Sequence, residues 1–330
     1  MTQAATKPVF RYQKVRRGVS RRQWRDLGLF YLFISPWVLG FLCLLLFPLI
    51  WGLYLSLTNY SGWSFASMKF IGLDNYIRVW KDMDAWEGFF RTAVITVVGV
   101  PVGIVGGLAI AVLLNQKVKG LRLFRTLYYL PSVVPGVAAI VIWKSIYDRN
   151  NGLLNALLDF FRRGTVINWI SDYSNLALIV MGLWGLGGGM IIYLAALQGV
   201  PTELKEAANI DGASSWQSFR LVTVPLISPV LFFQLIMGII NYLQLLVPAM
   251  LLTNEAVNNF DRFGLGGVPP ANRLYMIHLY EQTFFYQRYG YGLALAWIIF
   301  VIVLIFSLLV IKSQRYWVHY EVDVTARGDN

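Results

Sequence analysis

Six times along this chain an apolar run reaches or approaches the roughly 20 residues that carry a helix across the hydrocarbon of a bilayer. The runs are Leu27–Leu57, Thr92–Leu114, Leu127–Tyr147, Leu176–Gln198, Val230–Thr253 and Tyr291–Ile311. They are continuous rather than alternating, which excludes the short in-and-out strands of an outer-membrane barrel. Inside lipid the backbone finds no water, so helices are what remain to satisfy its polar groups. The expected fold class is an all-α integral membrane protein with six transmembrane helices. Only 14% of the 330 residues are charged, against about 25% in an ordinary soluble domain.

The first run starts too late and is too long for a cleaved signal peptide, so it reads as a retained span, and Pro36 and Pro48 predict a kink in it. The one cysteine, Cys43, lies in that span. No internal disulfide and no cysteine metal cluster can follow. The net charge of +11 could mark a nucleic-acid binder, but the charges track topology instead. With the N-terminus inside, inner segments hold 17 Lys/Arg and outer segments 10, with Lys144 inside the third span. That bias places both termini in the cytoplasm and argues for no nucleic-acid partner. The chain then divides into a basic cytoplasmic tail (1–26) able to meet membrane lipid, a transmembrane domain (27–313) with an inner loop at 199–229, and a cytoplasmic C-terminal tail (314–330). The first outer segment alternates aromatic and charged residues around Phe70–Trp86, as a short helix at the interface does.

No phosphate-cradling G-x-x-x-x-G-K-[ST] occurs, so the chain is not expected to hydrolyse ATP or to be an enzyme. The Gly-rich run at 184–193 lies inside a span, where close helix packing or a bendable segment explains it. His278 and His319 fall on opposite sides of the membrane, and no metal site is expected. The spans carry no midplane carboxylate, which counts against an ion-coupled carrier. They do carry Gln234, Asn241, Tyr242 and Gln244 in the fifth, Trp184 and Tyr193 in the fourth, and Trp143 in the third. Amides and phenols hydrogen-bond neutral hydroxyls, and aromatic faces pack on sugar rings. These residues suit a pathway for neutral polar solutes, or simply join helices to one another.

Between the fourth and fifth runs lies EAANIDGASSWQSFRLVTVPLISP, residues 206–229. Pro201, Glu203 and Glu206 fit a first helical turn, so a short helix should run to about Asn209 and break at Asp211-Gly212. Ser214 and Gln217 match a capping box that starts a second helix toward Pro225. Ala207, Ala208, Gly212 and Ala213 leave the corner nearly bare, so another protein's backbone could approach it.

These residues resemble the cytoplasmic loop of permease subunits of binding-protein-dependent ABC importers: E-A-A at Glu206, D-G-A at Asp211, an aromatic at Phe219, and Pro225. The resemblance covers nearly the whole chain and is similar to the maltose-type, carbohydrate-uptake branch. Phe70-Ile71-Gly72-Leu73-Asp74-Asn75-Tyr76, Leu123-Phe124-Arg125-Thr126 with Leu130-Pro131, and Gly152-Leu153-Leu154-Asn155 match further family elements in order. The chain departs from the branch in the fifth span, where Leu243, Leu246 and Val247 flank Gln244, and after Thr253, where an insertion precedes Gly266-Gly267-Val268-Pro269.

The resemblance implies a bacterial or archaeal inner-membrane subunit that binds no cofactor itself. It pairs with a second homologous permease, two cytoplasmic ATPases holding ATP and magnesium, and an extracytoplasmic solute-binding protein. Glu206, Ala207, Ala208, Asp211, Gly212, Ala213, Phe219 and Pro225 would couple to the ATPases. The solute would be a sugar or oligosaccharide; glycerol phosphate, or an ion-coupled carrier, are the alternatives.

Overall fold

The computed structural model describes residues 21–116, 119–253, 268 and 272–320. The basic stretch 1–20, the insertion at 254–267 and the residues 321–330 lie outside the described residues. The chain divides into two compact units, Met1–Tyr54 and Leu55–Asn330.

The described residues of the first unit, with Leu55 and Ser56, form one helix whose apolar part is Trp24–Ser56. It consists of α1 (Arg21–Gly40), a π-helical turn (Phe41–Leu46) and α2 (Phe47–Ser56). The helix thus begins inside the stretch expected to be tail. The helix runs on through both Pro36 and Pro48, with a widened turn just ahead of Pro48, whose missing N–H leaves a carbonyl one turn back without a donor. Trp37 stacks on Phe41 at its start and Phe47 on Trp51 after its end.

The second unit contains α3 (Asp74–Lys81), α4 (Met83–Leu114), α5 (Leu121–Val133), α6 (Gly136–Ile146), α7 (Leu153–Phe161), α8 (Trp169–Asp172), α9 (Ser174–Trp184) and α10 (Leu186–Gln198). After these come α11 (Thr202–Ile210), α12 (Ser215–Ser218), α13 (Val224–Leu243), α14 (Val247–Thr253), α15 (Tyr275–Tyr280) and α16 (Tyr289–Trp317), with π-helical turns at Phe219–Thr223 and Glu281–Phe285. No strand forms among the described residues; one bridge pairs Thr58 with Phe70.

Among the described residues, four helices are long and apolar enough to cross a membrane, and two bent pairs raise the number to as many as six. The bends correct the expected spans. The third, read as continuous from Leu127 to Tyr147, turns by 98° between α5 and α6. Pro135 causes the break: it holds Val134 in extended backbone (ψ 129°), which a helix cannot pass through. The fourth bends by 49° at Gly185. The fifth ends at Leu243 rather than Thr253, because Gln244–Leu246 leave the helix before α14 begins. The second and sixth are longer than their apolar runs, since α4 starts at Met83 and α16 extends to Trp317, into the expected C-terminal tail.

The 32-residue α4 is the spine of this unit. Three buried clusters follow one another along it: Ala85 with Val79, Tyr275, Tyr291 and Leu295 near its start; Ile95 with Tyr147, Leu178, Leu252 and Ile277 further on; Ala111 and Leu114 with Met190, Tyr193, Leu197 and Ile227 near its end. Lipid supplies no hydrophobic drive between helices, so small residues that permit close packing decide which faces meet. A Cβ on Gly107 would lie 2.9 Å from the Tyr193 ring. One on Gly187 would strike the Tyr128 carbonyl, so α5 and α10 touch backbone to backbone there.

The family-like motifs at the helix ends are staples. Asn75 donates to the carbonyls of Ser56 and Thr58, each at 2.8 Å, satisfying acceptors where α2 ends. Asn155 donates to Arg149 and Ile167 carbonyls and accepts from the Trp169 indole at 3.0 Å. Arg125 donates to the Leu114 carbonyl at 3.2 Å, a cation at the end of α4 where the helix dipole is negative.

Candidate functional site

Two sites can be built from these elements: a cavity along α13, and the hairpin that leads into it. Gln234, Met237 and Asn241 recur on one face of α13 at steps of three and four residues. They line a cavity of about 280 Å³ together with Tyr242, Gly99 and Gly103 of α4, Gly182 and Gly185 at the bend, and Gly189 and Tyr193 of α10. The glycines make the cavity. A Cβ on Gly99 would lie 2.6 Å from the Tyr242 ring and one on Gly182 would lie 3.0 Å from its hydroxyl, so the phenol seats between two bare helix faces. Tyr193 and Gln234 share a side-chain hydrogen bond, and a Cβ on Gly189 would meet the Gln234 amide at 3.3 Å.

The cavity therefore combines amide, phenol and thioether groups and holds no charged side chain. It gathers four of the seven expected pathway residues: Gln234, Asn241, Tyr242 and Tyr193. Trp143, Trp184 and Gln244 are not on its lining. Trp184 meets Trp143 edge to face at 6.1 Å, and Gln244 caps α13, exposed, where the helix ends. Met237 and the glycines were not singled out from the sequence, although the Gly-rich run at the bend was.

The hairpin begins at Pro201, which precedes α11. The helix ends in a Schellman motif: Ala213 N–H donates to Ala208 O at 2.9 Å and Gly212 N–H to Asn209 O at 3.1 Å. Gly212 stands at φ +82°, the left-handed conformation that needs a glycine, and nothing lies within 4 Å of where its Cβ would be. Ser214 and Gln217 then form the reciprocal capping box, at 3.3 and 2.7 Å. The helix it starts is not short. It runs through the π-helical turn into α13 as one 29-residue helix, Ser215–Leu243. Pro225 does not end it, because it sits in the first turn of α13, just after the widened turn that absorbs its missing donor.

The residues expected to couple fall into two groups. Glu206, Ala207, Asp211 and Gly212 are exposed and Ala208 and Ala213 half-exposed, all at the corner. Phe219 instead turns inward and packs against the Leu197, Val200 and Ile227 cluster, with Trp216 stacked on it at 5.6 Å. Ile210, 86% exposed, and Trp216, 67% exposed, are largely exposed apolar side chains on the hairpin. Ile210 was not anticipated; its place one residue before the helix-ending Asp-Gly was the available signal.

At the start of α4 a third arrangement appears that sequence reading missed. Asp82 caps α4, accepting from the amides of Asp84 and Ala85 at 3.1 and 3.3 Å. Its second oxygen accepts from the Tyr291 hydroxyl of α16 and meets His278 Nε2 of α15 at 3.0 Å. One carboxylate thus pins three helices. Burial works to raise its pKa, but the bond from Tyr291, the nearby His278 and the capping amides outweigh it and hold the carboxyl below its ordinary value. The buried Tyr275 phenol is pushed well up by desolvation and by the Asp82 charge.

Residues 99–316 match the family described as binding-protein-dependent transport system inner membrane component. Among similar proteins, the probable ABC transporter permease protein YesP of Bacillus subtilis (strain 168) is 37% identical over 295 residues, 88% of this chain and 92% of that protein. The lactose transport system permease protein LacF of Rhizobium radiobacter is 32% identical over 290 residues, 86% of this chain and 93% of its own. The crystal structure of a bacterial alginate ABC transporter in complex with an alginate pentasaccharide-bound periplasmic protein contains a similar chain, with TM-score 0.75 and 19% identity over 89% of this chain and 98% of that one. At that identity the fold is what the two share. Running from within α4 to Tyr316 of α16, the matched region contains both the cavity and the hairpin, and the chain belongs to the binding-protein-dependent transport system inner membrane component family.

Proposed function

We propose that this chain is the permease subunit of an ATP-driven importer of a sugar or oligosaccharide. It crosses the membrane six times with both termini in the cytoplasm, each bent pair counting as one span. A second homologous permease, two cytoplasmic ATPases and an extracytoplasmic solute-binding protein complete the assembly. This chain holds no cofactor; ATP and magnesium reside on the ATPases.

The observation that carries the reading is the unbroken helix from the capping box at Ser214 to Leu243. At 1.5 Å per residue it extends about 43 Å, with the exposed hairpin corner at one end and Gln234, Asn241 and Tyr242 near the other. A helix of that length transmits a displacement rather than absorbing it. Closure of the ATPase pair would move the corner, seated through Glu206, Ala207, Gly212 and the apolar Ile210, and so tilt the cavity-lining face between inward and outward access. Asp211 braces the turn, while Phe219 and Pro225 act from inside, fixing the hairpin to the helix it drives.

The solute class follows from the lining and from relatives. The cavity offers amide and phenol groups that exchange hydrogen bonds with neutral hydroxyls. A phosphorylated solute would need a cation there and an ion-coupled mechanism a carboxylate, and the described lining has neither. Relatives named for lactose and for trehalose/maltose transport support a carbohydrate.

The test is purification of this chain, tagged, from its native membrane. Copurification of an ATPase whose hydrolysis is stimulated by binding protein loaded with one sugar supports the reading. Recovery of intact chain without an ATPase, and uptake that follows an uncoupler rather than ATP, would sink it.

A further inference from the structure

Beside the Asp82 latch lies a cavity of about 300 Å³ lined by Arg78 and Lys81 of α3, Asp82, Gln282, Arg288 and Tyr291. Three cations face one carboxylate. That carboxylate is already engaged by His278 and Tyr291. The ion pairs among the described residues are Arg91–Glu87, Arg273–Glu281 and His278–Asp82, so none of the three cations belongs to one. Arg288 leans on neutral groups, donating to the Gln282 amide oxygen at 3.2 Å and lying over the Tyr286 ring at 5.3 Å. Arg78 lies over the Tyr291 ring at 5.9 Å. All three cations are exposed, and around a single carboxylate they make a positive patch that draws an anion to it.

The neighbouring surface of α3 says what kind of anion. The helix has three faces. Asn75 and Val79 are buried; Leu73, Ile77 and Trp80 are 63%, 51% and 73% exposed and recur at steps of four and three; Arg78 and Lys81 lie between those two faces. An apolar exposed stripe edged by basic residues is how a helix lies in the headgroup layer. Trp80 and Trp86, edge to face at 5.2 Å, supply the aromatic pair common at that depth.

We propose that this cavity binds the phosphate of an anionic phospholipid, with Arg78, Lys81 and Arg288 as its ligands and the Leu73–Ile77–Trp80 stripe against the lipid chains. Guanidinium groups suit the several oxygens of a phosphate, and the ammonium adds a point charge. In the orientation proposed above the site faces the outer leaflet. The lipid would close over the Asp82 latch and so steady the outer ends of α4, α15 and α16.

The test uses the full chain with its copurifying subunits, in neutral detergent and phosphate-free buffer, followed by thermal unfolding. Phosphatidylglycerol, phosphatidylcholine and inorganic phosphate are titrated in turn. Phosphatidylglycerol should raise Tm, and the Arg78→Gln/Lys81→Gln/Arg288→Gln variant should need at least about tenfold more of it for half the effect. Arg162→Gln/Arg163→Gln, which removes like charge elsewhere, should respond as wild type does. Should the triple variant fold poorly, Lys81→Gln and Arg288→Gln singly are each expected to weaken the response several-fold. Equal stabilisation by phosphatidylcholine, or by inorganic phosphate at the same concentration, overturns the proposal. So does an unaltered lipid response in the cation variants, including the case in which they lose only stimulation by the binding protein, which would assign these cations to a protein partner.

Discussion

Asp82 illustrates how one side chain can govern three helices. Asp82→Ala removes the cap of α4 and strands the partners on α15 and α16; we expect a loss of about 2–3 kcal/mol in chemical unfolding, one part from the cap and the rest from unpaired buried groups. Its folded pKa lies below the unfolded value of about 3.9, so its stabilisation is present above that value and is lost as pH falls through the lower, folded one. The stability gap between wild type and Asp82→Asn, followed by melting, should therefore persist at pH 5 and close only at stronger acid. At the cavity, Gly182→Val places a branched side chain where the Tyr242 hydroxyl stands. Uptake is expected to fall at least about tenfold while the protein still folds, whereas Gly103→Ala, whose Cβ meets nothing within 4 Å, should be nearly silent.

Among the elements, the hairpin corner has the most specific backbone demand. Gly212→Ala forces a Cβ into the left-handed region at a cost of about 1 kcal/mol, whereas Gly212→Asn should cost less, because asparagine tolerates it. Comparing the thermal stability of the two variants checks this. The corner was legible in the sequence because its signals are local: Ser214 with Gln217, and Asp211-Gly212, act within four residues. The apolar runs were legible for the same reason, each exceeding what any soluble element needs. What escaped was set by distant partners. Nothing beside Asp82 in sequence announces His278 and Tyr291, about 200 residues away. The 98° turn at Pro135 was hidden by the unbroken apolarity on both sides of it. Pro225 misled in the opposite sense, since a π-helical turn allows the helix to continue through a residue that usually ends one.

In the second unit, one continuous helix joins the exposed corner to the polar cavity, and the proposed transport depends on that link. The π-helical turn Phe219–Thr223 is where that link is least regular, and Leu221 there is exposed, so glycines can soften it without opening the core. Leu221→Gly/Val222→Gly, at roughly 1 kcal/mol of helix propensity per site, should leave assembly intact and disconnect the corner from α13. The deciding measurement is transport and ATP hydrolysis side by side, in vesicles containing this variant together with the proposed ATPase partners. Hydrolysis is expected to continue near its wild-type basal rate while uptake falls at least about tenfold. Uptake that stays coupled to hydrolysis as in wild type would contradict the continuous helix as the transmitting element.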